Sequence, residues 1–494
     1  VVDTEIHDIV LVGAGIVSAT LGTLIATLQP DWRITVLERL GEPGNESSHA
    51  WNNAGTGHAG LCEFNYTPRG SDGTVDATGA VRIGEQYLTS LCFWAELVAQ
   101  GQLGDPGDFI RSTPHLGLGR GTDGVAYLRA RHAALREHPL FADLEISADR
   151  SRLEAWLPLV LRGRDEREPI AVTRSRQGTD VDFGVLTRRL LAALQRRGVA
   201  VRTHHEVRSL RRGQGRWEIG VRDRRADRVE TLRSRFVFVG AGGATLPLLQ
   251  GAGVPEVRGL GAFPISGRFL RASRPALVAE HPAKLYGHAA PGAPSISVPH
   301  LDRRVVAGRE HLLFGPFAAF SPRFLKRGRH TDLVRSIRPD NLPTLLATAR
   351  DNPSLLAYLV RQLTQSSAAR LAALREFVPT AQEADWKLIT AGQRVQTLRT
   401  VAGRGTMVGF GAEQLITEDA TLAALLGASP GASASASAMV AVLAGCFPDR
   451  MPAWESRLRT LAPNASELLA TGQAIDRLAH ARRTLGLDPL ISRS

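Results

Sequence analysis

Two glycines, a serine and a glutamate close to the N-terminus could together hold a dinucleotide. In Asp8-Ile-Val-Leu-Val-Gly-Ala-Gly-Ile-Val-Ser18 an apolar run passes through Gly13 and Gly15 straight into a helical pattern. The glycines let the backbone turn sharply and approach a pyrophosphate, and the helix that follows aims its free N–H groups and positive dipole end at the phosphates. Ser18 stands where a third glycine is usual and is still small enough for helix and strand to pack closely. A second apolar run, Ile34-Thr-Val-Leu37, ends in Glu38, whose carboxylate can accept hydrogen bonds from both hydroxyls of an adenosine ribose. This chemistry suits FAD or NAD. An adventitious glycine-rich turn would have no need of the acid.

The elements that must position these residues follow from patterning. After the opening strand–helix–strand unit, a polar, glycine-rich stretch from Glu42 to Gly79 is too long for a plain connector, and such loops are usually functional. Helices are expected at Gly84–Gln100, Ala126–His138 and Asp180–Gln195, and a strand at Val201–Val207. The segment from Arg208 to Arg235, centred on Trp217–Val221, reads as a small antiparallel sheet. It leads to a buried strand, Arg235-Phe-Val-Phe-Val-Gly240, and a second glycine turn, Gly240-Ala-Gly-Gly-Ala244. That turn could open a second nucleotide fold for NAD. No strand ending in an acid follows it at the right distance, and the turn-rich Gly251–Gly261 suits a chain leaving the sheet. Further on, a helical block covers Asp340–Phe377, Thr406–Gly411 reads as a strand returning to the core, and the run Gly427–Ser437 precedes a helix at Ala438–Ala444. The small residues of that run suit either a backbone lying against a flat ligand or a flexible linker. Two interleaved domains result, one nucleotide-binding and one substrate-binding.

Bulk properties narrow the classes. The chain of 494 residues has material for two or three domain-sized cores. Neither a run long enough to span a membrane nor a signal-peptide pattern is present, so a cytoplasmic protein is expected. Cys62, Cys92 and Cys446 are widely spaced, which encodes neither a disulfide framework nor a metal site, and they are expected to be buried, reduced thiols. The formal charge of +12 suits an anionic partner, yet only Lys284, Lys326 and Lys387 among the 60 cationic residues are lysines. A coding bias toward arginine explains the charge as readily as a functional basic surface does. Nucleic acid is disfavoured, because no aromatic-interleaved basic module accompanies the charge.

Over most of its length the sequence resembles the malate:quinone oxidoreductases. The resemblance is carried by Gly13-Ala-Gly-Ile-Val-Ser-Ala-Thr-Leu-Gly22, Glu46-Ser-Ser, Trp51-Asn-Asn-Ala-Gly-Thr-Gly-His-Ala-Gly-Leu-Cys-Glu-Phe-Asn-Tyr-Thr-Pro68 and Gly178-Thr-Asp-Val-Asp-Phe-Gly184. Later segments are Ser297-Val-Pro-His-Leu-Asp302, Leu313-Phe-Gly-Pro-Phe317, Phe320-Ser-Pro322, Ala391-Gly-Gln-Arg-Val-Gln396 and Leu426-Gly-Ala-Ser-Pro-Gly-Ala-Ser433. It implies FAD-dependent oxidation of (S)-malate to oxaloacetate, with electrons passed to a membrane quinone by an enzyme peripheral on the inner face of the cell membrane. The implied fold is α/β, a Rossmann-like FAD-binding domain interleaved with a mixed α+β substrate domain. Residues 1–80, 171–260 and 401–447 are expected to form the first, 81–170 and 261–400 the second, and 448–494 a C-terminal helical segment. Arg268, Arg303 and the segment Gly411–Glu418 depart from the family pattern, and the added positive charge could favour a different or second carboxylate.

Such an oxidation needs a base for the hydroxyl proton, an acceptor for the hydride, and cations that grip carboxylates. Histidine has a suitable pKa. His58, in a glycine-flanked loop, and His300, two residues from Asp302 and on the same strand face, are the two candidates. Loop carbonyls could equally satisfy His58 as a structural residue, and His300 could be a surface residue. Arg304 and Arg394 lie in family-like segments and are the candidates for the carboxylates, with Lys284 and Tyr286 behind them. Gly57 and Gly240 are further cofactor-binding candidates, and the amides around Gly431 and Ala432 could stabilise charge on a reduced flavin ring. No metal site and no obligate protein partner are expected. Other readings are an FAD-dependent dehydrogenase or oxidase of another 2-hydroxy acid or amino acid, and a non-catalytic flavin-carrying binding protein. An anionic lipid surface is expected to meet Phe320–His330, with Phe320, Phe324 and Leu325 entering the interface and Arg323, Lys326, Arg327 and Arg329 facing head groups.

Overall fold

The computed structural model describes residues 2–288, 298–353, 357, 365–407, 412–427 and 431–490. The opening residues fold as read. Strand β1 (Val2–Val12) enters helix α1 (Ile16–Leu28), which returns through β2 (Ile34–Leu37). Every residue of β2 is buried and α1 is apolar almost all round, as a parallel sheet covered on both faces requires. Five parallel strands run in the order Leu422–Gly427, Arg228–Val239, β1, β2 and Ala200–Arg202, with Ala412–Ile416 added antiparallel at the edge. The antiparallel meander His205–Gly213, Arg216–Asp223, Arg228–Val239 completes this sheet. On one face α1 packs against Phe183–Arg196 and Ser435–Cys446. Helix Thr78–Ala99 shares that core through Leu88, Phe93 and Trp94, so the domain boundary expected at residue 80 falls inside a helix of the first domain's core.

The second sheet has nine strands among the described residues, from Arg404–Met407 at one edge to Glu145–Ser147 at the other. His300–Val306 and Arg309–Phe320 pair antiparallel near its middle, and Lys284–Tyr286 lies beside His300–Val306. The expected α/β architecture, a Rossmann-like domain interleaved with a mixed substrate domain, is present.

Four local readings need correction. The helix expected from Asp180 starts at Phe183, because Asp182 caps it by accepting from the Val185 amide, and Asp180 belongs to the short strand Thr179–Val181. The strand expected at Val201–Val207 is two strands, broken by a turn in which His204 adopts φ 61°. Arg404–Met407 pairs with Lys387–Val401 in the second sheet and does not return to the first; Ala412–Ile416 and Leu422–Gly427 do. The run at Gly427–Ser437 delivers a helix from Ser435, earlier than Ala438. Parts of that run, of the Thr406–Gly411 segment and of the block Asp340–Phe377 lie outside the described residues. All three cysteines are buried and free, and among the described residues no helix is long and apolar enough to cross a membrane.

Candidate active site

A cavity of about 680 Å³ opens where β1 ends, a size suited to a cofactor and small substrate. The first glycine turn forms part of its wall. Gly13 has φ +89°, and a Cβ there would lie 2.6 Å from the Gly240 carbonyl oxygen, so no other residue fits where the first turn meets the second. The Gly13 amide donates to Leu37 O at 2.8 Å and the Gly240 amide to Val12 O at 2.9 Å. Ser18 lies behind this wall, fully buried, and a Cβ on Gly240 would come within 2.4 Å of its hydroxyl. Its role in the fold is close packing.

Glu38 accepts from the Ala14 amide at 2.9 Å and the Leu40 amide at 2.7 Å while still lining the cavity. A carboxylate has about four acceptor positions, which leaves it free to bind further donors. Gly15 caps α1 without any side-chain hydrogen bond, and the Ile16 amide donates to Ser48 Oγ at 3.1 Å. The helix start therefore faces the cavity with backbone donors available for an anion.

The same cavity is lined by His58, Glu63, Tyr66, Tyr286, His300 and Arg394. Each histidine is backed by a carboxylate. His58 Nδ1 lies 2.5 Å from Glu63 Oε1, and His300 Nδ1 lies 2.7 Å from Asp302 Oδ2. Burial pushes the Glu63 carboxyl up, but the hydrogen bond and charge of His58 outweigh it and hold it at about 2. Asp302 is likewise held below the usual carboxylate range against its burial, by His300 together with Lys284 and Arg304. Tyr286 stacks on His300 with centroids 4.6 Å apart, and its hydroxyl lies 2.9 Å from Thr56 Oγ1. Ser433 ties the His58 loop from the far end of the chain, donating to Thr56 O and accepting from the His58 amide, both at 3.1 Å. Burial lowers the pKa of Arg394, and no carboxylate among the described residues pairs with it.

Arg304 does not face the cavity. It is fully buried, its Nε lies 2.9 Å from Asp180 Oδ1, and its Nη1 donates to Asn53 O at 2.7 Å. Lys284 shares Asp180 at 3.0 Å and donates to Ala54 O at 2.9 Å. The expectation that Arg304 borders the pocket fails because Asp180 draws both cations behind it, where they grip the loop that carries Thr56 and His58. Gly57 also stands behind the lining, since a Cβ there would meet Thr179 Oγ1 at 2.1 Å. Gly240, Gly431 and Ala432 line the cavity, whereas Arg268 and Arg303 do not, Arg303 pairing with Glu310. In the segment Phe320–His330, Phe324 is a core residue, Phe320 and Leu325 are half-buried, and Lys326 Nζ donates to Asn52 Oδ1 at 2.7 Å and Thr390 O at 2.8 Å. Of its three apolar side chains, Phe324 is thus the one withdrawn into the core.

Sequence reasoning missed Glu63, Asp180, Ser48 and Ser433 as parts of the site. A signal existed for Glu63, five residues after His58 in one loop. None existed for Asp180, whose partners are more than a hundred residues away.

The family model for malate:quinone oxidoreductase (Mqo) matches residues 5–487. A probable malate:quinone oxidoreductase of Geobacillus sp. (strain WCH70) is 48% identical over 485 residues, 97% of this chain and 95% of that protein. Another, of Leifsonia xyli subsp. xyli (strain CTCB07), is 50% identical over 463 residues and covers 94% of each. Among solved structures, glycine oxidase from Geobacillus kaustophilus superposes with a TM-score of 0.58 at 14% identity, covering 90% of this chain and 95% of that one. L-alpha-glycerophosphate oxidase from Mycoplasma pneumoniae, solved with FAD bound, gives 0.57 at 13% identity over the same shares. At these identities the two structures support the fold alone, whereas the sequence matches run almost end to end: the chain belongs to the malate:quinone oxidoreductase family.

Proposed function

We propose that this chain oxidises (S)-malate to oxaloacetate with FAD as its bound cofactor and a membrane quinone as final acceptor, working at the inner face of the cell membrane. The observation that carries the reading is one cavity that joins a dinucleotide turn to two carboxylate-backed histidines and an arginine without an acidic partner. The protein groups fit FAD: Glu38 has acceptor capacity for ribose hydroxyls, and the start of α1, where Gly15 brings no capping side chain, can receive a pyrophosphate. When bound, FAD supplies the hydride acceptor.

The rest is done by side chains. Arg394 holds a malate carboxylate with paired, coplanar N–H donors. His58 takes the hydroxyl proton on Nε2, since Glu63 fixes the ring through Nδ1 and stabilises the imidazolium that forms. We assign the base to His58 over His300 for an electrostatic reason: besides His300, Lys284 and Arg304 also hold the charge of Asp302, whereas the charges that hold Glu63 down are chiefly those of His58 and then His115. His58 is also the more open to the cavity, at 19% against 7%. His300 then orients substrate beside Tyr286.

The absorption spectrum of the purified holoprotein before and after anaerobic malate tests cofactor and substrate together. Flavin bands that bleach with malate are expected. Bleaching by another 2-hydroxy acid or by an amino acid, and not by malate, would move the substrate; a flavin that no metabolite reduces would make this a binding protein.

Two variants test the ends of the cavity. Glu38→Ala is expected to weaken FAD binding by about 1.5–3 kcal/mol through loss of charge-assisted hydrogen bonds, and full FAD retention after dialysis with unchanged affinity would remove this role. Arg394→Lys keeps the charge but loses the planar fork, so KM for malate should rise about 10–100-fold. Unchanged malate kinetics would place the carboxylate elsewhere.

A further inference from the structure

Large apolar side chains are rarely exposed in this protein, and most of those that are stand together. Of seven such residues among the described ones, five are Val334, Ile337, Leu342, Leu346 and Val401, each between 44% and 67% exposed. The helix Leu342–Asp351 explains the grouping. Thr344, Thr348 and Asp351 face the hairpin of Lys387–Val401 and Arg404–Met407, with Thr344 Oγ1 lying 3.2 Å from Thr400 Oγ1 and Asp351 Oδ2 accepting from the Gly405 amide at 2.8 Å. The opposite row, Leu342, Leu346 and Arg350 at four-residue spacing, is therefore turned outward. Arg350 Nη2 donates to Gly403 O at 3.3 Å, which brings the hairpin turn and Val401 to the same face.

The charges around these residues are arranged unequally. Residues 329–351 and 401–404 contain five arginines (Arg329, Arg335, Arg338, Arg350 and Arg404) and three aspartates. Each aspartate accepts from a backbone amide, Asp332 from Arg329 at 2.9 Å, Asp340 from Gly259 at 3.0 Å and Asp351 from Gly405, and Asp351 also pairs with Arg350 at 2.6 Å, which leaves four of the arginines in excess. Arg329, Arg335, Arg350 and Arg404 are exposed beside the apolar residues in these segments, and Arg329, Arg335 and Arg338 also line the cavity described above. An apolar face rimmed by guanidinium groups complements a surface that is anionic outside and hydrocarbon within.

We infer that the face formed by Val334, Ile337, Leu342, Leu346 and Val401, with its rim of arginines, docks this protein on an anionic lipid surface and sets the rim of the cavity against it. This deepens the proposed function and rests on its reading of a lipid-dissolved acceptor. It also relocates the lipid contact from Phe320–His330 to the segment that follows.

The test uses the holoprotein with vesicles of phosphatidylglycerol and phosphatidylcholine in equal parts, with pure phosphatidylcholine as the neutral control. The parent should float with the anionic vesicles at low salt, far less with neutral ones, and lose binding as salt screens the charges. The triple variant Val334→Ser, Ile337→Ser, Leu346→Ser should bind anionic vesicles at least about tenfold more weakly, through loss of buried apolar surface. Its anaerobic flavin reduction by malate should match the parent, which shows that it is folded, while its reduction of a quinone held in vesicles should fall with the binding. A triple variant that floats like the parent would overturn the assignment. So would a parent that floats on neither vesicle, or a concentration-dependent dimer that the three substitutions dissolve, which would make the face a contact between two copies. Failure of malate to reduce the flavin at all would instead sink the proposed function, and flotation reads out independently of it.

Discussion

His58→Ala slows reduction of the bound flavin by malate about 10²–10⁴-fold while leaving the flavin in place, the range expected for losing a positioned general base. Stopped-flow reduction under anaerobic conditions measures it. His300→Ala should have the smaller effect, because Asp302 keeps Lys284 and Arg304 as partners whichever residue faces the cavity. Glu63→Gln should fall between parent and His58→Ala, since it keeps the volume beside His58 and removes the charge that steadies the imidazolium. Should the order of the two histidine variants invert, His300 is the base; should both run at the parental rate, neither is.

Asp180→Ala is expected to destabilise the protein by about 3–5 kcal/mol, the cost of leaving buried charges without their partner. Lys284 and Arg304 are both fully buried and lie 3.0 and 2.9 Å from the same oxygen of Asp180. Asp180 also accepts from the Val305 amide at 3.0 Å, so its loss removes a bond between the strand Thr179–Val181 and the second sheet. Chemical denaturation followed by tryptophan fluorescence reads the change, and a loss under about 1 kcal/mol would show that the cations find other partners. Replacing Asp180 and both cations together by apolar residues of similar volume should restore much of the stability, because the penalty lies in the unpaired charges and not in the missing ion pairs.

The first domain was legible in the sequence because its determinants are local. Gly13, Gly15 and Glu38 sit within one strand–helix–strand unit, and periodicity with turn residues suffices to place them. Element ends were read less well where side-chain caps decide them, as with Asp182, whose carboxylate starts a helix three residues later than the apolar pattern suggests. Of Thr406–Gly411, which reads as a strand returning to the core, the described residues Thr406 and Met407 pair with Lys387–Val401 in the second sheet, since an apolar run carries no record of which partner it meets. In the site, residue type pointed to His58 and His300, and the family resemblance to Arg394, but neither could separate Arg394 from Arg304. Both are arginines in strands of the second sheet, and only a distant aspartate determines that one is held behind the cavity wall. A related limit applies to Phe320–His330: its aromatic and basic residues look amphipathic in sequence, yet Phe324 completes the core of the first sheet.

The bonds that Ser433 makes to Thr56 and His58 span 377 and 375 residues of chain. During synthesis at about 5–20 residues per second, roughly 20–80 seconds separate emergence of the histidine from emergence of the serine that fixes it. For that interval the nascent polypeptide carries a histidine loop without the serine that ties it down. The histidine loop thus acquires these two hydrogen bonds late in biogenesis, and a chain that ends before Ser433 lacks them.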